Sequence, residues 1–146
     1  MIFPDKIAIG SDHAGFEYKE AIKLYLKRNN TIITDVGTHG LDSCDYPDYA
    51  HAVAANIENG AVSFGILICG TANGVAIAAN KHAAIRAAIC WKKEIAELSR
   101  MHNDANILCI PARFVTVDEA LELVQAFLTT DFEGGRHTNR VQKITI

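Results

Sequence analysis

Hydrophobic and polar residues alternate along this chain in two kinds of segment. Short, nearly continuous apolar runs are separated by longer stretches in which apolar residues recur three or four positions apart. Short runs of this kind predict buried β-strands, whereas the longer stretches predict helices with one buried face. The predicted strands cover residues 6–11, 31–36, 63–69, 85–90 and 106–111.

The longer stretches carry further helical signals. Pro47 suits the first turn of an alanine-rich helix. Thr116 and Glu119 have the spacing of a capping box ahead of another helix. Gly134-Gly135 interrupts the chain before a last short helix that starts at Arg136. The main helical patterns lie at residues 18–26, 49–57, 95–101 and 121–128.

Strands that alternate with helices predict an α/β fold with a parallel sheet covered on both faces. Five predicted strands give a five-stranded parallel sheet, and the crossover connections are expected to be right-handed. The 146 residues suggest one domain, 1–146, with a core large enough to fold without disulfides.

Composition narrows the functional classes. The formal net charge of -3 argues against a general nucleic-acid binder, and no apolar run approaches the roughly 20 residues that span a bilayer. The four cysteines form no C-x-x-C pair and no zinc spacing, which favours reduced thiols and a cytoplasmic protein. Four further histidines, His39, His51, His82 and His137, show no metal-ligand spacing. No metal or other cofactor is therefore expected.

The strand predicted at 63–69 ends in Cys69, and the turn Gly70–Gly74 and an alanine-rich stretch follow. This pattern predicts a buried strand, a tight turn and the first turn of a helix, where backbone N–H groups stabilise an anion. A cysteine thiol there is a candidate base or nucleophile, because a helix N-terminus or a nearby cation favours the thiolate form. The alternative is a small apolar residue that ends a buried strand.

Other candidates follow or precede the predicted strands. Ligands bind at the carboxyl ends of parallel strands, so Asp12 and His13 could orient a substrate hydroxyl, although Asp12 could instead cap the next helix. His102 lies at helical spacing from Ile95 and Leu98, as a core histidine would. Its polar neighbours Asn103 and Asp104 instead suit proton transfer near neutral pH.

Arg136 and Arg140 are four residues apart and therefore share one face of a helix. Their guanidinium groups suit phosphate, although a solvated basic surface has the same pattern. His137 shares that environment. A thiolate base, a histidine acid, an anion-stabilising turn and an arginine pair suffice for proton abstraction next to a carbonyl, through an enediolate.

Six segments spread over nearly the whole chain carry a family resemblance. They are Ser11-Asp12-His13-Ala14-Gly15, Asp45-Tyr46-Pro47, Ile68-Cys69-Gly70-Thr71, Ala78-Ala79-Asn80-Lys81, Ser99-Arg100-Met101-His102-Asn103-Asp104 and Glu133-Gly134-Gly135-Arg136-His137. In this order and at these spacings they resemble the type B ribose-5-phosphate isomerases, a family that includes the galactose-6-phosphate isomerase subunits.

The resemblance implies a Rossmann-like, three-layer α/β/α sandwich. It implies a metal-independent aldose–ketose isomerase that needs no cofactor and interconverts ribose 5-phosphate and ribulose 5-phosphate. The implied partners are a small phosphorylated sugar and a second copy of the chain, in a homodimer or a tetramer with each active site at a subunit interface. Neither a nucleic acid nor a membrane is implied.

The resemblance also implies roles for individual residues. Cys69 is the implied base that moves the proton between C1 and C2, and Thr71 and the Gly70–Gly74 amides hold the enediolate oxygen. His102 is the implied acid, which also opens the furanose ring. The other implied substrate-binding residues are Ser11, Asp12, His13, Tyr46 and Asn103 at the sugar, Gly70, Ala72, Asn73 and Gly74 in the turn, and Arg113, Arg136 and Arg140 at the phosphate.

The chain departs from the family pattern at two positions. The family usually has glycine where this chain has Ala72, and an apolar residue where it has Asn73. If Ala72 adopts a positive φ, its methyl group costs about 1 kcal/mol, whereas a helical alanine is harmless. The departure bears on substrate preference more than on the reaction class.

Other functions stay open on the sequence. An isomerase of another sugar phosphate, such as galactose 6-phosphate, allose 6-phosphate or a tetrose phosphate, would need the same residues. A non-catalytic sugar-phosphate-binding module would need neither a thiol nor an aligned acid. A redox or acyl-transfer enzyme would be expected to carry a resolving cysteine or an ordered triad, and neither is visible.

Overall fold

The computed structural model describes residues 2–146. The strands are β1 (Lys6–Ser11), β2 (Ile32–Asp35), β3 (Gly65–Cys69), β4 (Ala87–Ile89) and β5 (Ile107–Pro111). The helices are α1 (Phe16–Arg28), α2 (Tyr46–Glu58), α3 (Asn73–Ala79), α4 (Lys93–Asn103), α5 (Val117–Thr129) and α6 (Arg136–Gln142), and a 3-10 turn lies at His13–Gly15.

The five strands described within residues 2–146 form one parallel sheet in the order β2-β1-β3-β5-β4. Because the strands are parallel, each connecting helix carries the chain from the carboxyl edge of the sheet back to its amino edge. The chain moves outward from β1 to β2 and then crosses back to β3. Such a reversal opens a crevice at the carboxyl ends of the two central strands.

Strand β3 shows why both faces of the sheet are covered. All of its residues are buried, and successive side chains point to opposite faces. Ile66 and Ile68 pack in a core with α1, α4 and α5, whereas Leu67 and Cys69 pack in a second core with α2 and α3. The predicted three-layer α/β/α sandwich with a five-stranded parallel sheet is therefore confirmed.

The predicted elements agree with the structure except at their ends. Four strands are shorter than predicted, β2 and β3 by about two residues, β4 by about three and β5 by about one; the shortest, β4, pairs on one side only. Helix α4 buries Ala96, Ser99 and Arg100, so Leu98 from the predicted apolar stripe is exposed. Thr116 Oγ1 accepts a hydrogen bond from Glu119 N at 3.1 Å, which confirms the predicted cap of α5.

A buried ion pair fixes the end of β2. Lys19 is fully buried, and its Nζ lies 2.7 Å from Asp35 Oδ2; Lys23 Nζ lies at the same distance from that oxygen. Asp35 Oδ1 accepts a hydrogen bond from Gly37 N at 2.9 Å. Burial raises the pKa of Asp35, but hydrogen bonds from Lys19, Lys23 and Gly37 outweigh burial and hold that pKa below its ordinary value.

The residues that follow this ion pair are hydrogen-bonded to the carboxyl end of β1. Gly37 O accepts a hydrogen bond from Ser11 N at 2.8 Å, and Ser11 O accepts one from Thr38 N at 2.8 Å. The segment after β2 therefore clamps the end of β1. Among the helices of residues 2–146, none has both the length and the apolar character that a membrane crossing requires.

Candidate active site

Cys69 ends β3 at the carboxyl edge of the sheet, between the ends of β1 and β5. Its carbonyl oxygen accepts a hydrogen bond from Ala112 N at 2.9 Å, and the oxygen of Ile68 accepts one from Asp12 N at 3.3 Å. These bonds join the residues that follow three neighbouring strands. Cys69 itself is 5% exposed, so its thiol lies at the margin of the core rather than on open surface.

The other three cysteines differ in setting, and all four are free thiols. Burial raises the pKa of Cys90 to about 11 and raises the pKa of Cys109 well above its ordinary value. Such thiols stay protonated at neutral pH and are chemically inert. Cys44 is half-buried in the segment before α2, where its backbone N donates to His13 Nδ1 at 3.3 Å.

In the turn after Cys69, Ala72 has the backbone conformation that the sequence alone left open. Ala72 has φ 64° and ψ -10°, in the left-handed region, and it is fully buried. Thr71 Oγ1 accepts a hydrogen bond from Asn73 N at 3.3 Å, which ties the Thr71 hydroxyl to the first residue of α3. The chain therefore carries a methyl group at a backbone position that favours glycine.

Two glycines of this turn admit neighbouring side chains. A Cβ atom at Gly70 would lie 3.0 Å from Arg113 Nε, so the Arg113 guanidinium group lies against the turn. A Cβ atom at Gly74 would lie 2.5 Å from the ring of Tyr46. The structure thus brings together four residues that the sequence predicts for one site: Gly70, Gly74, Arg113 and Tyr46.

The residues that follow β1 lie beside the same turn. Ser11 is fully buried, and its Oγ has no hydrogen-bond partner among residues 2–146. Asp12 Oδ1 accepts a hydrogen bond from Gly15 N at 3.1 Å, so the capping interpretation of Asp12 is confirmed. Gly15 packs on β3, because a Cβ atom there would lie 2.6 Å from Ile68 O.

A second group of predicted residues surrounds the end of α4. The His102 side chain is 37% exposed, so the core interpretation of this histidine is wrong. Its ring stacks on the ring of His137 with centroids 4.2 Å apart and planes inclined by 12°. Glu133 N donates to Met101 O at 3.0 Å, which ties the chain before α6 to the end of α4.

The predicted glycine turn, Gly134-Gly135, leads into α6 beside the end of α4. Gly134 and Gly135 have φ of 71° and 56°, which glycine adopts readily. Burial, followed by the nearby His102 and Arg136, lowers the pKa of His137. Arg136 and Arg140 are both exposed. A hollow of about 320 Å³ is lined by His102, Asn103, His137, Arg140, Val141 and Ile144.

Two residues near His102, Arg100 and Glu133, belong to the site although the sequence did not identify them as site residues. Arg100 is buried; its Nε donates to Thr130 O at 3.1 Å and one of its terminal nitrogens lies 2.8 Å from Asp104 Oδ1. Arg100 therefore holds the end of α4, from which His102 projects. Glu133 lies 3.8 Å from His137 Nε2 and 4.0 Å from His102 Nε2. The i, i+4 spacing of each pair, Arg100 with Asp104 and Glu133 with His137, is the signal available in the sequence.

The two groups lie at opposite edges of the sheet within one chain. Helix α4 runs back to the amino edge, so His102 lies near the start of β5, whereas Cys69 lies beside its end. Five residues of strand separate these edges by roughly 15 Å. Arg113 is separated in the same way from Arg136 and Arg140. The predicted base and acid therefore do not meet inside one chain.

A family model described as Ribose/Galactose Isomerase matches residues 7–144. This chain belongs to that family. It is 46% identical over 140 residues to the protein named ribose-5-phosphate isomerase B of Escherichia coli (strain K12), covering 96% of this chain and 94% of the relative. The match confirms the family resemblance that the six sequence segments carry.

Solved structures of family members have the same fold. A ribose 5-phosphate isomerase from Thermotoga maritima, 48% identical, superposes with a TM-score of 0.94 over 96% of this chain and 97% of that one. Ribose-5-phosphate isomerase B from Mycoplasma genitalium, 43% identical, superposes with a TM-score of 0.91 over 95% of this chain and 93% of that one. The Mycoplasma structure contains bound ribulose-5-phosphate.

Proposed function

We propose that this chain is a ribose-5-phosphate isomerase that uses Cys69 as its catalytic base. The observation that carries the proposal is the position of Cys69. Its thiol ends a central strand of the sheet, next to a turn that also contacts Arg113 and Tyr46. Similarity to ribose-5-phosphate isomerases across nearly the whole chain supports the choice of substrate.

The separation of Cys69 from His102 supports a site built from two copies of the chain. Proton transfer needs a donor and acceptor about 3 Å apart, whereas the two edges of one sheet lie roughly 15 Å apart. The carboxyl edge of one copy would face the amino edge of the other. A two-fold axis then makes two identical sites, each with Cys69 from one copy and His102 from its partner.

The proposed reaction moves one proton between two carbon atoms and one between two oxygen atoms, and it needs no redox partner. His102 assists opening of the furanose ring by protonating the ring oxygen, while the anomeric hydroxyl gives its proton to water and becomes the C1 carbonyl. The Cys69 thiolate removes the proton from C2 of the open aldose, and the electron pair moves onto the C1 carbonyl oxygen to form an enediolate. The same proton returns to C1, and the proton of the C2 hydroxyl passes to the C1 oxygen, so that C2 carries the ketose carbonyl and C1 the hydroxyl.

The remaining predicted residues bind and orient the sugar phosphate. The N–H groups of Gly70–Gly74 and the Thr71 hydroxyl would stabilise the enediolate oxygen, because donors that are already oriented stabilise developing charge most. Ser11, Asp12, His13, Tyr46 and Asn103 would bind sugar hydroxyls. Arg113 of one copy would face Arg136 and Arg140 of the other around the phosphate, since guanidinium groups bind phosphate oxygens in pairs.

Steady-state rates on aldose phosphates of four, five and six carbons, with and without a chelator, test this proposal. We expect the highest kcat/KM with ribose 5-phosphate and no effect of the chelator. A strong preference for a six-carbon substrate would contradict ribose 5-phosphate as the substrate and favour a hexose phosphate such as galactose 6-phosphate. No turnover of any aldose phosphate, and no exchange of the C2 proton with solvent, would favour a binding module.

Removal of the thiol tests the role of Cys69. Cys69→Ala should abolish isomerisation while the protein stays folded and still binds the sugar phosphate. Cys90→Ala is the matched control, because the pKa of Cys90 is raised to about 11 by burial and its thiol takes no part in the proposed chemistry. Near-normal turnover by Cys69→Ala would refute the assignment of the base.

A further inference from the structure

The side chains of His102, Glu133 and His137 form a cluster that the proposed reaction uses only in part. One ligand atom from each residue lies within 4.8 Å of the other two. His137 is buried, and its Nε2 has no hydrogen-bond partner among residues 2–146. A buried nitrogen without a partner is costly, so a ligand at this position would relieve an existing penalty.

From this cluster we propose that His102, Glu133 and His137 form a Zn²⁺ site whose occupation inhibits the enzyme. Two histidines and one glutamate are a common zinc ligand set, and water completes the four-coordinate shell. Zinc–ligand bonds of 2.0–2.2 Å in a tetrahedral shell place ligand atoms about 3.3 Å apart. The three ligand atoms, now within 4.8 Å, need to close by no more than about 1.5 Å.

The ring that has to move is His102. The two imidazole planes are inclined by only 12°, and each nitrogen lone pair lies in its own ring plane, so stacked rings do not converge on one ion. His137 is held in place by burial, whereas His102 is about one-third exposed. Glu133 Oε2 lies 4.0 Å from His102 Nε2, beyond hydrogen-bond distance. Within residues 2–146, rotation of the His102 ring therefore breaks no hydrogen bond at that nitrogen.

Glu133 supplies the charge that favours a cation. Its side chain is 49% exposed and reaches towards both histidines. Arg140 lines the same hollow and opposes a cation, so removal of the Glu133 charge should weaken binding strongly. Bound zinc would hold the His102 nitrogen that the proposed reaction needs for proton transfer. The inhibition, but not the binding, rests on the function proposed above.

Zinc binding is tested on the metal-free protein by titration with Zn²⁺ against a chromophoric chelator. We expect Glu133→Gln and His137→Asn to bind Zn²⁺ at least about 10-fold more weakly than the wild type. Glu133 is exposed, so Glu133→Gln tests the site even if His137→Asn does not fold. Glu97 is a partly exposed carboxylate on α4, the helix that carries His102, and Glu97→Gln should bind Zn²⁺ as the wild type does.

A second histidine cluster provides the sharper control. His51 Nδ1 lies 2.7 Å from His82 Nε2, and His82 Nδ1 lies 2.6 Å from Glu58 Oε1. His82→Asn should leave zinc affinity unchanged. The proposal is overturned if the wild-type protein binds no zinc, or if binding is lost in His82→Asn and kept in Glu133→Gln.

Inhibition is measured separately, with each variant compared with its own zinc-free rate. Glu133→Gln should need at least about 10-fold more Zn²⁺ for half-inhibition than the wild type, and a chelator should restore activity in both. Equal sensitivity of the two proteins would place the inhibitory zinc elsewhere, for example on the Cys69 thiolate. A wild type that binds zinc at this site but isomerises no sugar phosphate would contradict the proposed function and leave the metal site standing.

Discussion

The left-handed conformation of Ala72 predicts an unusual result for a glycine substitution. Ala72 has φ 64° and is fully buried, whereas Ala76 lies in helix α3 and is 5% exposed. Ala72→Gly and Ala76→Gly remove the same methyl group from two buried positions, which costs about 0.8 kcal/mol in each case. The two substitutions differ in what they do to the backbone.

Glycine relieves about 1 kcal/mol at a left-handed position and costs about 1 kcal/mol inside a helix. Ala72→Gly should therefore change the free energy of unfolding by less than about 0.5 kcal/mol, whereas Ala76→Gly should lower it by about 2 kcal/mol. Denaturant unfolding at one protein concentration measures both values, and the melting temperatures should differ by about 4–8 °C. Equal losses in the two variants would refute the strain assigned to Ala72.

Two further substitutions test contacts that support the carboxyl edge. Asp35→Asn leaves the Lys19 ammonium group buried with its main partner neutralised, and should lower the free energy of unfolding by about 3 kcal/mol, measured by denaturant unfolding at pH 7. Because the pKa of Asp35 in the folded protein lies below its ordinary value of 3.8, the unfolded chain binds more protons in acid. The wild type should therefore lose this stabilisation as the pH falls through and below 3.8. In Asp35→Asn, the free energy of unfolding should fall less steeply with decreasing pH over this range. An unchanged pH dependence would contradict the ion pair. Gly74→Ala places a Cβ atom 2.5 Å from the ring of Tyr46 and should displace that ring, raising KM for the sugar phosphate severalfold. An unchanged KM would remove Tyr46 from the site.

Much of the fold is predictable because its signals are local. Strand β3 is a continuous apolar run, as expected for a parallel strand that is buried on both faces. The cap of α5 depends on two residues only three positions apart, and the structure contains the hydrogen bond that their spacing predicts. Cys69 could be placed at the carboxyl edge because the strand and the turn that fix it are consecutive in sequence.

The rest depends on contacts between residues distant in sequence. The exposure of Leu98 follows from how α4 packs, mainly against α5, which three-residue spacing does not determine. Ala72 is fully buried, so its backbone angle depends on the packing around the turn, and the sequence left two conformations open. The stacking of His102 on His137 joins two helices across an intervening one, and no short-range pattern predicts it.

A mixture of two inactive variants tests most directly whether the active site needs two copies of the chain. Cys69→Ala keeps His102, and His102→Asn keeps Cys69, so a dimer with one copy of each variant has one intact site and one site without either group. When equal amounts are unfolded and refolded together, half of the dimers are mixed, and activity per chain should reach about one quarter of the wild-type value. If Cys69 and His102 of the same chain acted together, the refolded mixture would show no more activity than the average of the two separate variants.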